Sequence, residues 1–197
     1  MCIRDRVCLM SVPHGTTTLA QEQTVDTSSW SAGKFRQQGE QAMSTGDYAQ
    51  AVEYLNKAIE MEPDNAANYL KLYRVHQRKR QYAEALDDLT SALKIDPKNE
   101  GYIKKKIQLL ISLGQCNEAA ELVEKNASQV HVDAKLAETA QQCAQEVAQA
   151  ELAYFQGDYE RAADLFQRAL LHVDLQGSDL LWMKAQSLYF TGDYYGV

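Results

Sequence analysis

The chain has 197 residues, 45% hydrophobic and 24% charged, with only 3 Pro and 10 Gly, which suffices for an ordered, buried core. Its 27 acidic side chains outnumber 20 basic ones, and the net charge of −7 argues against a nucleic-acid partner, whose phosphates demand clustered Lys and Arg. No apolar run approaches the roughly 20 residues of a membrane-spanning helix.

Residues 1–31 read as leader and linker. The opening MCIRDR has an adapter-derived look rather than that of natural protein. Val7 to Val12 form a short apolar stretch and Thr18-Leu19-Ala20 a small-x-small cleavage site, as in a partial signal sequence; a disordered polar tail is the alternative. Residues 21–31 are polar linker on either reading.

From residue 32 the pattern turns helical. In unit 1 (32–65), Phe35, Gly39 and Ala42 share one face of a first helix, and Gly39 lets a partner approach closely. Gly46 suits a helix end with positive φ, Asp47 a cap, and Tyr48, Ala51, Leu55 and Ala58 a second buried stripe that Pro63 closes. Unit 2 (66–99) repeats this with Tyr69, Leu72, Tyr82, Ala85, Leu89, Ala92 and Pro97, but places Tyr73 where a small residue is usual and Arg80 where the turn Gly belongs. Unit 3 (100–131) keeps Ile103, Leu110, Gly114, Ala119 and Val123, with Asn126 at a normally small site. Unit 4 (143–176) restores Ala150, Ala153, Gly157, Tyr159, Ala162, Phe166 and Ala169. Unit 5 (178–197) begins with Leu181, Ala185 and Leu188 and stops within its second helix, as a fragment of a longer protein would.

Pro63 and Pro97 lie 34 residues apart, and Tyr48, Ala51, Leu55 and Ala58 map onto Tyr82, Ala85, Leu89 and Ala92 at that offset. A period of 34 with two helices per unit is the signature of the tetratricopeptide repeat. Units 3 and 4 start 43 residues apart, and the Ala-, Glu- and Gln-rich excess around Asp133 favours one long helix over 133–155, with Leu136, Ala140, Cys143, Val147 and Tyr154 on one face. The expected fold is all-α: a solenoid of antiparallel helix pairs, three repeats in 32–131 and two in 132–197, two subdomains joined by that stiff helix.

Chemistry-bearing residues are sparse. His14, His76, His131 and His172 lack metal spacing and read as surface residues. Cys116 and Cys143 are single helical cysteines with no CxxC, read as small hydrophobes forming neither zinc site nor disulfide; Cys2 and Cys8 belong to the leader. No GxSxG or GxxxxGK occurs, so neither catalysis nor a cofactor is expected.

Binding is the remaining role, and repeat solenoids bind on the surface lined by their first helices. Lys71, Arg74 and Arg78 recur at helical spacing and, with Arg36, Lys104 and Lys105, form a candidate basic groove for an acidic peptide, a solvated charged face being the plainer reading. Clamps that hold the acidic C-terminal tails of heat-shock chaperones need Lys or Arg and Asn on these helices. Arg36 and Lys105 fit, but Glu40, Lys71 and Gly101 do not, and Glu40 would repel the ligand carboxylate. In units 4 and 5, Val147, Tyr154, Phe155, Trp182, Met183 and Phe190 make a candidate apolar groove suited to extended or non-native polypeptides, unless they merely pack between repeats.

The stretches GEQAMSTGDYAQAVEYLNKAIEMEPDN, YAEALDDLTSALKIDPKN and AELAYFQGDYERAADLFQRAL, with the long helix between, resemble the endoplasmic-reticulum co-chaperones of DnaJ subfamily C over residues 32–197. The resemblance implies a client-binding repeat half that holds unfolded polypeptides, an Hsp70-type chaperone engaged through a J domain whose His-Pro-Asp motif these residues lack, and residence in the endoplasmic-reticulum lumen, with the cytoplasm as the alternative. Asn126-Ala127-Ser128 is a glycosylation sequon in keeping with that. Rival readings are a scaffold subunit of a cytosolic or ciliary assembly and a cytosolic Hsp70/Hsp90 adaptor.

Overall fold

The computed structural model describes residues 27–127, 132–173 and 178–192. They form α1 (Ala32–Thr45), α2 (Tyr48–Met61), α3 (Ala66–Arg78), α4 (Tyr82–Ile95), α5 (Glu100–Ser112), α6 (Cys116–Asn126), α7 (Ala134–Phe155), α8 (Tyr159–Leu170) and α9 (Ser178–Thr191). Helices pair as α1/α2, α3/α4, α5/α6 and α7/α8, and α9 packs on α8. The solenoid of helix pairs is as expected. The leader and residues 128–131, with Ser128 of the sequon, lie outside the described residues.

The Gly-Asp-Tyr turn works as one device. Gly46 sits at φ +85°, where a side chain is strained, and the Asp47 N–H donates back to Ala42 O at 2.9 Å, closing α1. Asp47 Oδ1 accepts from Gln50 N at 3.0 Å and so opens α2. Asp158 does the same for α8, accepting from Arg161 N at 3.3 Å. Arg80 adopts the same left-handed turn at φ 59° without being glycine, a strain of about 1 kcal/mol that the packing of α3 on α4 holds in place.

Within unit 1 the two helices approach closely at a small residue. A Cβ on Gly39 would lie 2.9 Å from Leu55 Cγ, so α1 and α2 meet there only because the side chain is missing. Leu55, Leu89 and Phe166 are wholly buried, each contributing roughly 1.5–3 kcal/mol. Tyr73 is accommodated because the small Ala85 stands with Leu89 and Leu109 in its core cluster. Trp30 departs from the expected polar linker. It precedes the Ser31 cap and packs on Phe35, with ring centroids 5.2 Å apart, and on Tyr54 at 5.8 Å. An apolar residue before the cap closing on one four residues into the helix is a hydrophobic staple.

The long helix spans 22 residues, opened by Asp133 Oδ1 accepting from Lys135 N at 3.0 Å. It is packed along its length rather than bare. Ala140 belongs to the core of α5 and α6, with Ile103, Ile107, Leu110 and Val123. One turn later Cys143 begins a second core with Val147, Ala150, Phe166 and Leu180. The buried Glu146 fixes α7 to α8, accepting from Arg168 Nη2 at 3.0 Å and lying 3.2 Å from His172 Nε2.

Two expectations need correction. Cys116 and Cys143 are joined in a disulfide, with Cα atoms 5.5 Å apart. Their separation of 27 residues hid this, since α7 folds back onto α6 and brings its middle to the first residue of α6. Nor are the histidines of the described residues surface groups. His172 is largely buried against Glu146, and His76 Nδ1 stands 2.6 Å from Asp88 Oδ2 between α3 and α4. Burial pushes the Asp88 carboxyl up to about 6, with His76 pulling the other way.

Replacing both Cys116 and Cys143 with Ser, or unfolding under reductant, should lower stability by about 2–4 kcal/mol for a loop of this length, read from urea midpoints. An unchanged midpoint would refute the cross-link's role. Asp88 makes a second prediction. A carboxyl whose folded pKa lies above its unfolded value contributes stability below the unfolded value and loses it as pH rises through the folded one. Thermal melts should therefore show the Tm of wild type minus that of Asp88→Asn falling between pH 4 and pH 6.

Candidate functional site

The first helices of the repeats, α1, α3, α5, α7 and α9, carry every candidate groove residue. In the first three units the basic residues do not converge on an open site. Arg36 Nη1 pairs with Glu62 at the end of α2 and lies 3.3 Å from Asn68 Oδ1. Asn68 is fully buried, and its amide donates to Ala58 O and Glu62 O, both at 3.3 Å. These carbonyls also accept from Glu62 N and Asn65 N, so the Asn68 amide adds a second bond to each, and Arg36 joins the seam between units 1 and 2. Lys71 forms an ion pair with Glu40 across α1 and α3. Lys104 stands 3.6 Å from Asp133, at the cap of α7. Arg74 and Arg78 are exposed and Lys105 is half-buried. The basic set is thus split between neutralised pairs and separate surface charges.

Units 4 and 5 differ. Val147 is corrected out of the site: it is buried in the α7/α8 core, and Met183 packs half-buried on the same core. Of the other apolar candidates, Tyr154, Phe155 and Phe190 gather at the C-terminal ends of α7 and α9, while Trp182 lies in the second turn of α9. Tyr154 makes edge contacts with Phe155, Tyr159 and Phe190 at centroid distances of 5.9, 5.4 and 6.2 Å. Phe190 stacks on Tyr159 at 4.8 Å and meets Tyr189 edge-on at 5.7 Å. Despite these contacts Phe155 is 81% exposed, Trp182 63%, Tyr189 65% and Phe190 53%. Trp182, Ala185, Gln186, Tyr189 and Phe190, all on α9, line an open surface depression of about 420 Å³.

Tyr159, expected only as a repeat-core position, and Tyr189 belong to this cluster and were not among the expected groove residues. The signal was there: Tyr154-Phe155-Gln156-Gly157-Asp158-Tyr159 recurs as Tyr189-Phe190-Thr191-Gly192-Asp193-Tyr194, 35 residues later. The repeat period therefore places an aromatic pair just before the turn of successive units. Ring clusters of this kind present a wide apolar surface whose members hold one another in place, so little side-chain freedom is lost on binding.

A tetratricopeptide-repeat profile matches residues 36–100 and 147–194. The chain is 33% identical over 94 residues to small glutamine-rich tetratricopeptide repeat-containing protein 2 of Mycosarcoma maydis, covering 48% of this chain and 27% of that protein. It is 35% identical over 66 residues to the protein of the same name from Saccharomyces cerevisiae, covering 34% and 19%. The chain thus spans about a quarter or less of these relatives. In fold it is similar to the P58(IPK) TPR domain, with a TM-score of 0.67 at 22% identity over 82% of this chain and 46% of that one. It is similar also to yeast Tom70, with a TM-score of 0.51 at 17% identity over 82% and 44%.

The two polar links in units 1 and 2 should differ in weight. Lys71→Ala breaks a partly exposed ion pair and should cost under about 1 kcal/mol. Asn68→Ala removes a fully buried amide with its bonds to Ala58 O, Glu62 O and Arg36, leaves that space unfilled, and should cost about 1–3 kcal/mol. Equal urea midpoints for the two variants would contradict this assignment.

Proposed function

The chain belongs to the tetratricopeptide-repeat family and is a protein–protein interaction module, and we propose that its partners are extended, apolar, non-native polypeptides held at the aromatic cluster of α7 and α9. In this reading the chain is the client-binding part of a co-chaperone that passes its clients to an Hsp70-type chaperone through a J domain. The observation that carries it is the repeated Tyr-Phe pair, Tyr154-Phe155 and Tyr189-Phe190, whose Phe155, Tyr189 and Phe190 are exposed on successive units while Tyr154 is half-buried beneath them. Exposed apolar patches of that kind mark binding surfaces, and aromatic faces accept varied sequences. The alternative of an acidic-tail clamp is disfavoured by Glu40, whose carboxylate lies beside Lys71.

The proposed compartment is the endoplasmic-reticulum lumen. Support comes from the Cys116–Cys143 disulfide, since such bonds persist in oxidising compartments and are rare in the cytosol. Asn126 of the sequon is half-buried, its amide donating to Leu122 O at 2.7 Å, so a glycan there requires this side chain to turn outward.

The test is a binding titration of the whole chain with a permanently unfolded, reduced and carboxymethylated protein, alongside an acidic C-terminal peptide. The unfolded protein should bind and the peptide should not. Replacing Phe155 and Phe190 together with Ala should weaken that binding about tenfold or more, with only a small fall in thermal midpoint from the lost Phe190–Tyr159 stacking, because both rings are more than half exposed. Retained binding by the variant, or preference for the acidic peptide, would overturn the proposal.

A further inference from the structure

Away from the aromatic cluster, α4, α5 and α6, with the turn joining α4 to α5, line an open cleft of about 300 Å³. Its walls hold three lysines from three helices, Lys94, Lys106 and Lys125, and apolar side chains, Leu93, Ile103 and Leu122. Pro97, Thr90 and Asn126 complete the lining, and no carboxylate is part of it. In a chain of net charge −7 this is an unusual concentration of positive charge.

Lys106 is the informative member. It is half-buried, and its Nζ donates to Thr90 Oγ1 at 2.7 Å, a neutral acceptor whose own hydroxyl is spent on Leu86 O at 2.8 Å. Burial holds the Lys106 ammonium below its usual range, and the fields of Lys125 and Lys94 act in the same direction, while Glu118 and Asp87 oppose them. Glu118 and Glu121 share a neighbouring cleft of about 230 Å³ with Lys106 and Lys125, and neither lines the first. Lys94 and Lys125 stand in the last turns of α4 and α6, where helix carbonyls favour cations. That explains two lysines at these ends but not the third, on the middle of α5, converging on the same space.

We infer that the cleft between α4, α5 and α6 is a binding site for a small organic anion with an apolar body, on the scale of a short acyl or aryl carboxylate. The anionic group would meet Lys106, Lys94 and Lys125, and the tail would lie on Leu93, Ile103 and Leu122. The volume sits at the lower end for small-molecule sites, which suits such a ligand. The site lies on residues other than those of the proposed polypeptide groove and does not depend on that reading.

Calorimetric titration of the whole chain with octanoate tests it, with octanol and inorganic phosphate as comparisons. Octanoate should bind once per chain with Kd on the order of a millimolar or below. Lys106→Met, which keeps the apolar stem, should weaken binding about tenfold or more, whereas Lys98→Met, exposed and outside the cleft, should not. Lys125→Met, at an exposed position, should also weaken it and gives the same reading if Lys106→Met folds poorly. Octanol binding as tightly as octanoate would overturn the inference. So would phosphate binding equally well, or octanoate binding that ignores both cleft variants.

Discussion

The structure depends on a single helix divided between two cores. Ala140 and Cys143 are one turn apart on α7, yet the first closes the apolar centre of α5 and α6 and the second opens that of α7, α8 and α9. A repeat unit cannot bury its faces alone and needs a neighbour on each side. Where the spacing between units lengthens from 34 to 43 residues, that neighbour is lost unless the inserted residues supply it. Here α7 supplies it by running 22 residues without a break. The Cys116–Cys143 bond and the Glu146–Arg168 ion pair then tie one face of this helix to α6 and to α8 within a single turn.

What could be read from the sequence was whatever repeats with the helical or the 34-residue period. Pro63 and Pro97, the Gly-Asp-Tyr turns and the stripe from Tyr48 to Ala58 located the helices and their buried faces. Features that join distant positions escaped. The partner of Arg36 is Glu62, 26 residues on, and that of Cys116 lies 27 residues away; neither spacing follows from any local rule. Trp30 was misread for a different reason: it lies among polar residues, and a staple is recognised only once the helix start at Ser31 is known. The aromatic pairs were half legible, since Tyr154, Phe155 and Phe190 stood out but the recurrence that brings in Tyr189 needed comparison of units 4 and 5 at their own offset.

The two grooves illustrate how charge and apolar area behave differently on a solenoid. Side chains such as Arg36, Lys71 and Lys104 reach opposite charges on the next helix or loop, and the repeat geometry that lines them up also delivers their partners. Aromatic rings have no such outlet. Once Tyr154 has packed edge-on to Tyr159 and Phe190 has stacked on Tyr159, the outer faces of Phe155, Trp182 and Tyr189 remain in water. Similar surfaces can thus start with charge in one place and apolar area in another, and only the second stays available to a ligand.

The Cys116–Cys143 bond also changes how the array would respond to mechanical tension. An uninterrupted repeat array yields unit by unit, each released helix pair adding its contour length. With the bond intact, a pull on the two ends passes from α6 to α7 through sulfur, and the 27-residue span that closes the loop bears no force. The fully stretched chain is shorter by roughly 90 Å. The seam between the two groups of repeats is therefore a covalent joint, and only the helix pairs outside the loop can peel open end by end.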